Sequence, residues 1–254
     1  MTLEDEYCED RKTMKHPENI AIIGGGGAIG YAVAQELRTR HPAASIRVFS
    51  RTLPKPEISG VSHQLIDYED ELSIQAAANL ASADRPIDLI LVTTGILHEE
   101  NLRPEKSLKE LSYQNFERLF KVNTITPALI AKYFLPVLSR NKNSIFAALS
   151  ARVGSVSDNQ LGGWYAYRAS KSALNMIIKS ASIEVARKNP KAIIVGLHPG
   201  TVDSNLSKPF QHSSTNSTLF SPSIAASHLL GVLDNLTSEQ TGKCFAWDGS
   251  EILP

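Results

Sequence analysis

Cysteine is scarce in this chain, charge of either sign is in balance, and no apolar run approaches the roughly 18 residues of a membrane-spanning helix. The two cysteines, Cys8 and Cys244, form no metal-ligating or redox spacing, which fits a reducing compartment and makes cytoplasm the expected location. No metal site is expected. Lys plus Arg and Asp plus Glu both total 26, so no net field draws nucleic acid or an anionic membrane, and a small-molecule partner is expected instead. The amino terminus lacks the basic-then-apolar order of a signal peptide. There is no internal repeat and no second composition regime.

What is present is a chain of 254 residues, 42% hydrophobic, enough to bury a substantial core. Residues 1–18 run acidic and then basic without apolar periodicity and read as a flexible leader, leaving 19–254 as one domain. From residue 19 the pattern alternates strand and helix. Strands are expected at 20–23, 45–50, 61–66, 87–93, 144–149, 192–197 and 243–246, and helices at 29–38, 71–83, 112–139, 165–187 and 222–236. Pro127 and Pro136 interrupt the third helix, and 95–107 reads as an exposed loop. Alternation of this kind predicts a three-layer, doubly wound parallel sheet of about seven strands, with ligands at the carboxyl ends of the strands. A Ser-, Thr- and Asn-rich run over 203–221 is the expected substrate lid.

Between the first strand and first helix stands Gly24-Gly25-Gly26-Gly27-Ala28-Ile29-Gly30. Gly25, Gly27 and Gly30 satisfy GxGxxG, and Gly24 and Gly30 satisfy the outer positions of GxxxGxG with Ala28 in the middle. In either register the glycines permit close backbone approach and the helix offers free amides to a pyrophosphate. About twenty residues past Gly30, where NAD binders keep an acid for the ribose hydroxyls, the chain has Ser50-Arg51. Both can bond a 2′-phosphate, so NADP is expected over NAD.

Trp164-Tyr165-Ala166-Tyr167-Arg168-Ala169-Ser170-Lys171 opens the fourth helix. Tyr167 and Lys171 stand one turn apart and project from the same face, whereas Tyr165 lies about 240° around the helix from Lys171. A tyrosine poised near neutrality needs its anion stabilised by about 4 kcal/mol, part of which a nearby ammonium can supply. Such a pair can also be an ordinary surface contact. A second feature lies at Asn123: Pro127, four residues on, has no N–H, so the Asn123 carbonyl loses its helical partner.

With the glycine turn, Asn123 in a long helix, and Tyr167 and Lys171 after the fifth strand, the sequence resembles the short-chain dehydrogenase/reductase family over about residues 19–249. Residues 149–175 and the run His198-Pro199-Gly200-Thr201-Val202 are similar to the branch of C-factor proteins and sniffer-like carbonyl reductases. The resemblance implies that Gly24, Gly26, Gly27, Ile29 and Gly30 surround the dinucleotide pyrophosphate. It implies that Tyr167 exchanges a proton with a carbonyl or alcohol oxygen, and that Lys171 holds the nicotinamide ribose and lowers the tyrosine pKa. The Asn123 carbonyl would hold a water leading to that lysine. Asp67 would contact adenine, Thr94 and Gly95 stand in the family's Asn-Asn-Ala-Gly stretch, Pro199 and Gly200 would pack on the nicotinamide, and Val202 would bond its carboxamide.

One departure concerns the fifth strand, which in most members ends Ser-Ser-x-x-Gly with the second serine on the substrate carbonyl. Here Ser150-Ala151-Arg152-Val153-Gly154 has alanine there, leaving Ser150 or Ser155 as substitutes. The expected function is NAD(P)(H)-dependent hydride transfer to a carbonyl or from an alcohol. The alternative is a dinucleotide-binding regulator with little turnover. The resemblance also implies a homodimer or homotetramer through helices 112–139 and 164–187, with Ile125, Leu129, Ile177 and Ile178 supplying apolar surface.

Overall fold

The computed structural model describes residues 16–53, 56–209 and 218–254. Cys8, most of the expected leader and the middle of the expected lid lie outside these residues. The first described segment is already tied to the fold: Glu18 N–H donates to Asp88 Oδ2 at 2.7 Å, and Ser45 N–H donates to the Glu18 carbonyl at 2.8 Å.

The elements in chain order are β1 (Asn19–Ile23), α1 (Ala28–Arg40), β2 (Ser45–Ser50), β3 (Ser62–Leu65), α2 (Glu71–Ser82), β4 (Leu89–Val92), α3 (Tyr113–Phe120), α4 (Thr126–Phe134), β5 (Ser144–Leu149), α5 (Tyr165–Ala186), β6 (Ala192–His198), β7 (Thr201–Val202), β8 (Leu219–Phe220), α6 (Pro222–Asp234), β9 (Cys244–Ala246) and β10 (Glu251–Ile252). The main sheet has the order β10-β9-β6-β5-β4-β1-β2-β3 and is parallel except for β10. It has eight strands against an expectation of about seven. The extra one is a two-residue edge strand, too short to show an alternation. β7 and β8 form a separate parallel pair at the two ends of the lid segment.

The central strands are apolar apart from their ends because both faces are covered. Ile20 and Ile22 of β1, Leu89 and Leu91 of β4, and Ile193 and Val195 of β6 face the core under α1 and α6, where Val33, Leu37, Leu229 and Leu233 pack. Their neighbours Ala21, Ile23, Ile90, Val92 and Ile194 face the opposite core with Ile74 of α2, Ile130 and Phe134 of α4, and Leu174 and Ile178 of α5. The period of two in the strands thus produces the three layers. Side chains start the flanking helices: Asp70 accepts from Leu72 N–H at α2, Ser112 from Asn115 N–H at α3, and Ser221 from Ile224 N–H at α6.

Two expectations need correction and a third gains detail. The helical stretch expected at 112–139, interrupted at Pro127 and Pro136, divides near both: a π-turn at Lys121–Ile125 separates α3 from α4 and a 3₁₀ turn follows at Leu135–Val137. Pro127 cannot donate to the Asn123 carbonyl, and the hydrogen-bond register widens just before it. The segment 95–107 is not an exposed loop: Leu97, Leu102 and Glu105 are buried. Its charges conceal apolar anchors spaced too irregularly to show a period. Ile178, expected at a subunit interface, belongs to the core beneath α5.

Candidate active site

The carboxyl ends of β1, β4 and β5 converge on the glycine turn, the segment after Val92, and the start of α5. Gly24 has φ 96°, and a Cβ on it would meet Thr93 Oγ1 at 2.7 Å. At Gly30 a Cβ would lie 2.5 Å from Thr93 Oγ1 and 2.7 Å from the Gly24 carbonyl, so α1 can approach the turn this closely only without a side chain there. Gly26 and Gly27 are exposed along the turn, and Ala28 begins the helix. Gly27, the N-cap of α1, lends no side-chain bond, and no acid occupies the first helical turn. The turn therefore presents an N-terminus suited to an anion. Ile29 packs with Val202, which lies on β7.

At the end of β2, Ser50 is buried and its hydroxyl donates to the Thr52 carbonyl at 2.6 Å, while Arg51 is exposed. A Cβ on Gly26 would lie 3.4 Å from Ser50 Cβ, so Ser50 borders the glycine turn. Asp67 is exposed after β3, with its carboxylate accepting from Glu69 N–H at 2.8 Å. Thr94 Oγ1 is buried without a hydrogen-bond partner among the described residues. An unpaired buried hydroxyl is costly, and a bound ligand would relieve it. The cradle, the open helix terminus and this orphaned hydroxyl together fit a dinucleotide. Pro199 and Gly200 form the turn between β6 and β7; Gly200 has φ 76° and is crowded by the Phe220 ring.

Tyr167, Lys171 and Asn123 do come together. Tyr167 and Lys171 are both buried, and Lys171 Nζ stands 5.9 Å from the Tyr167 ring centroid. The ammonium donates to the Leu149 carbonyl at 2.9 Å, at the end of β5. Asn123 is fully buried and clamps Ile96: its Oδ1 accepts from Ile96 N–H and its Nδ2 donates to the Ile96 carbonyl, both at 2.9 Å. Nδ2 also reaches Ser170 Oγ at 3.2 Å, which ties the segment after β4 to α5. A Cβ at Gly95 would lie 3.5 Å from both Asn123 Oδ1 and Lys171 Nζ, in ordinary contact with each, so Gly95 borders both groups.

The electrostatics differ from expectation. Burial pushes the Tyr167 pKa above its ordinary value instead of below it, and burial lowers Lys171 to about 8. Desolvation is the largest cause for both groups. The protein by itself keeps the phenol protonated.

Ser150 does not join this group. Its hydroxyl donates to Asn175 Oδ1 at 2.6 Å, an acceptor shared with the buried Cys244 thiol at 3.1 Å. Ser155, the other substitute, is buried, with its hydroxyl 3.3 Å from Ser157 Oγ and accepting from Asp158 N–H at 3.1 Å. Ala151 instead shares an apolar cluster with Tyr167, Leu97, Leu102, Leu119 and Ala166, joined by half-buried Trp164 and Leu206. Two participants escaped the sequence reading. Trp164 lies edge-on to Tyr167, ring centroids 6.2 Å apart, and buried Glu105 caps α5 by accepting from Ala166 N–H at 3.2 Å. The only sequence signal for either was the Gly162-Gly163 pair before Trp164.

The sequence profile of the short chain dehydrogenase family matches residues 18–215. The chain belongs to this family of oxidoreductases. C-signal of Myxococcus xanthus is 33% identical over 147 residues, which cover 58% of this chain and 82% of that protein. Among solved structures, an NADPH-bound carbonyl reductase from chicken fatty liver superposes with a TM-score of 0.79 at 20% identity, covering 96% of this chain and 97% of that one. The carbonyl reductase Sniffer of D. melanogaster gives 0.78 at 20% identity, covering 94% and 100%. These likenesses establish the doubly wound fold. Among the described residues no helix is long and apolar enough to cross a membrane.

Proposed function

We propose that this chain is an NADP(H)-dependent oxidoreductase that moves a hydride between nicotinamide and a carbonyl or alcohol carbon. The observation that carries this reading is the buried trio of Tyr167, Lys171 and Asn123 beside the glycine turn. When bound, the nicotinamide supplies or accepts the hydride. Tyr167 gives its proton to the carbonyl oxygen in reduction and takes one from the hydroxyl in oxidation. Its raised pKa keeps the phenol protonated near neutrality, the form that reduction needs. Lys171 supplies positive charge as the phenol loses its proton and bonds the nicotinamide ribose hydroxyls, and the Asn123 carbonyl holds the water that reaches it.

Gly24, Gly26, Gly27, Ile29 and Gly30 enclose the pyrophosphate, and Ser50 and Arg51 take the 2′-phosphate, which selects NADP over NAD. Asp67 meets adenine, Thr94 and Gly95 line the ribose side, and Pro199, Gly200 and Val202 hold the nicotinamide ring. Ser150 supports the site through Asn175 without touching the substrate. Residues 19–254 act as one domain, and the buried free thiol of Cys244 supports a cytoplasmic location. An open groove of about 910 Å³ between α4 and α5, lined by Ile177, Met176 and Ile183 among others, supports pairing into a dimer or tetramer.

Ala151 beside Tyr167 favours a second reading, a dinucleotide-binding regulator with little turnover. Tyr167→Phe separates the two. We expect carbonyl-dependent NADPH oxidation by the wild type to fall by about 10²- to 10⁴-fold, with NADPH affinity unchanged. Activity that survives the substitution would sink the mechanism, and a wild type that binds NADPH without oxidising it on any carbonyl would favour the regulator.

A further inference from the structure

The entry to α5 is backbone of an unusual kind. Gly162, Gly163 and Trp164 follow one another with φ of 65°, 64° and 53°, and Trp164 is the only non-glycine among the described residues with positive φ. A bulky L-residue is strained there and persists only where its surroundings enforce it. They do so here. Trp164 N–H donates to the Glu105 carbonyl at 2.5 Å, and the Arg168 guanidinium donates to the carbonyls of Gly163, Gly162 and Val153 at 3.0, 3.1 and 3.3 Å. The Glu105 carboxylate fixes the next turn through Ala166 N–H.

Glycine would adopt this conformation without strain, as the two residues before it do. The strain is therefore explained by the indole, and the indole lies against the candidate proton donor. It meets the Tyr167 ring at 72° and belongs to the apolar cluster that contains Ala151 and Leu102. Trp164 as a whole is half-buried. Ala151 has no hydroxyl with which to orient a substrate carbonyl, so orientation here must come from shape. A rigid indole favours a flat, conjugated partner through offset or edge contacts.

Resting on the carbonyl reading above, we propose that Trp164 is a substrate-positioning residue. Its indole is the wall on which a flat conjugated group next to the carbonyl packs, which holds the carbonyl oxygen at the Tyr167 hydroxyl in place of the hydrogen bond that Ala151 cannot make. The substrate class is aryl or otherwise conjugated ketones and their secondary alcohols, in preference to puckered aliphatic ketones of similar size.

The test compares acetophenone with cyclohexyl methyl ketone, which differ mainly in flatness. Each is titrated calorimetrically into the full chain saturated with NADP⁺, and NADPH oxidation is followed separately. Wild type should bind acetophenone at least 10-fold more tightly, and Trp164→Gly should cut that ratio about tenfold with NADPH affinity unchanged and the melting temperature equal or higher. Trp164→Phe should restore most of the ratio. Should the glycine variant fail to fold, Trp164→Asn, which also tolerates left-handed backbone, carries the same expectation. A wild type that binds neither ketone, or does not distinguish them, overturns the proposal, as does a ratio that survives Trp164→Gly. Discrimination in binding without turnover would overturn the carbonyl-reduction reading alone, and turnover without discrimination would overturn the role of Trp164 alone.

Discussion

The turn after β1 and the loops around Tyr167 lie at the same edge of the sheet but are made of different material. The turn is backbone: its fit depends on the absence of side chains at Gly24 and Gly30, where a single carbon would come within 2.7 Å of neighbouring oxygens. The surroundings of Tyr167 are side chains drawn from distant segments, with Leu97 and Leu102 before α3, Ala151 after β5, and Trp164 on a strained entry to α5. A dinucleotide offers the same pyrophosphate to every protein that binds one, so a single backbone solution serves. A substrate pocket has no such constant, and this is where the chain departs from the pattern it resembles.

The sharpest way to probe that contrast is to return the missing hydroxyl. Ala151→Ser adds one oxygen beside Tyr167. If the pocket relies on shape because a donor is absent, a transition-state donor at this position should raise turnover by up to about 10²-fold, with NADPH affinity unaffected. A kcat that stays level or falls would mean that Ala151 is not at the position of the lost serine. Ser150→Ala serves as the control. Its hydroxyl is committed to Asn175, so its loss should appear in melting temperature more than in turnover.

On the backbone side the corresponding change is Gly30→Ala. The added carbon would press on the Gly24 carbonyl at 2.7 Å and Gly25 Cα at 2.9 Å, neither of which can move without opening the turn. We expect about 1 to 3 kcal/mol of destabilisation and a loss of NADPH affinity, measured by denaturant unfolding and fluorescence titration. Gly231→Ala in α6 is the matched comparison. Nothing lies within 4 Å of its added carbon, so it should be neutral or stabilising by up to about 1 kcal/mol.

The same division governs what could be read from the sequence. Strand and helix order, the glycine turn and the Tyr167–Lys171 pair were legible because each depends on local spacing. The break before α4 was legible in part, since Pro127 marks its position, but a π-turn instead of a kink depends on how Asn123 is held by Ile96 and Ser170. Burial of Leu97 and Leu102 could not be read, because charged neighbours surround them and their partners lie far along the chain. The raised Tyr167 pKa was missed for a related reason. Helical spacing shows that a lysine is near, whereas the depth at which both groups sit is a property of the assembled fold.

Cofactor choice is a smaller effect at the boundary of the two regions. Arg51 is exposed at the end of β2, so a charge-assisted bond from it to a 2′-phosphate is partly screened by solvent. Arg51→Ala should narrow the preference for NADPH over NADH by about 1 to 3 kcal/mol, nearer the lower figure. Dissociation constants for the two cofactors, measured on wild type and variant at one ionic strength, decide the point. Equal wild-type affinities would remove the assignment.

The mildest test is pH, where Lys171 moves activity and stability in opposite directions. Its folded pKa of about 8 lies below the value near 10.4 of an unfolded lysine. Between these values the unfolded chain binds more protons than the folded one, so this group makes stability rise with pH, by up to about 1 kcal/mol per pH unit. Below about pH 8 the lysine is charged in both states and its contribution is flat. Reduction runs the other way, because Tyr167 gives up its proton most readily beside a charged lysine, so kcat/KM should decline as pH rises through about 8. Tyr167, whose folded pKa is raised, adds no stability change until the unfolded phenol ionises near pH 10, above which stability falls. Lys171→Met should abolish the stability gain between pH 8 and 10 relative to wild type. A wild-type slope in that interval no steeper than that of the methionine variant would show that Lys171 is charged in the folded protein throughout, and the activity decline would then need another cause.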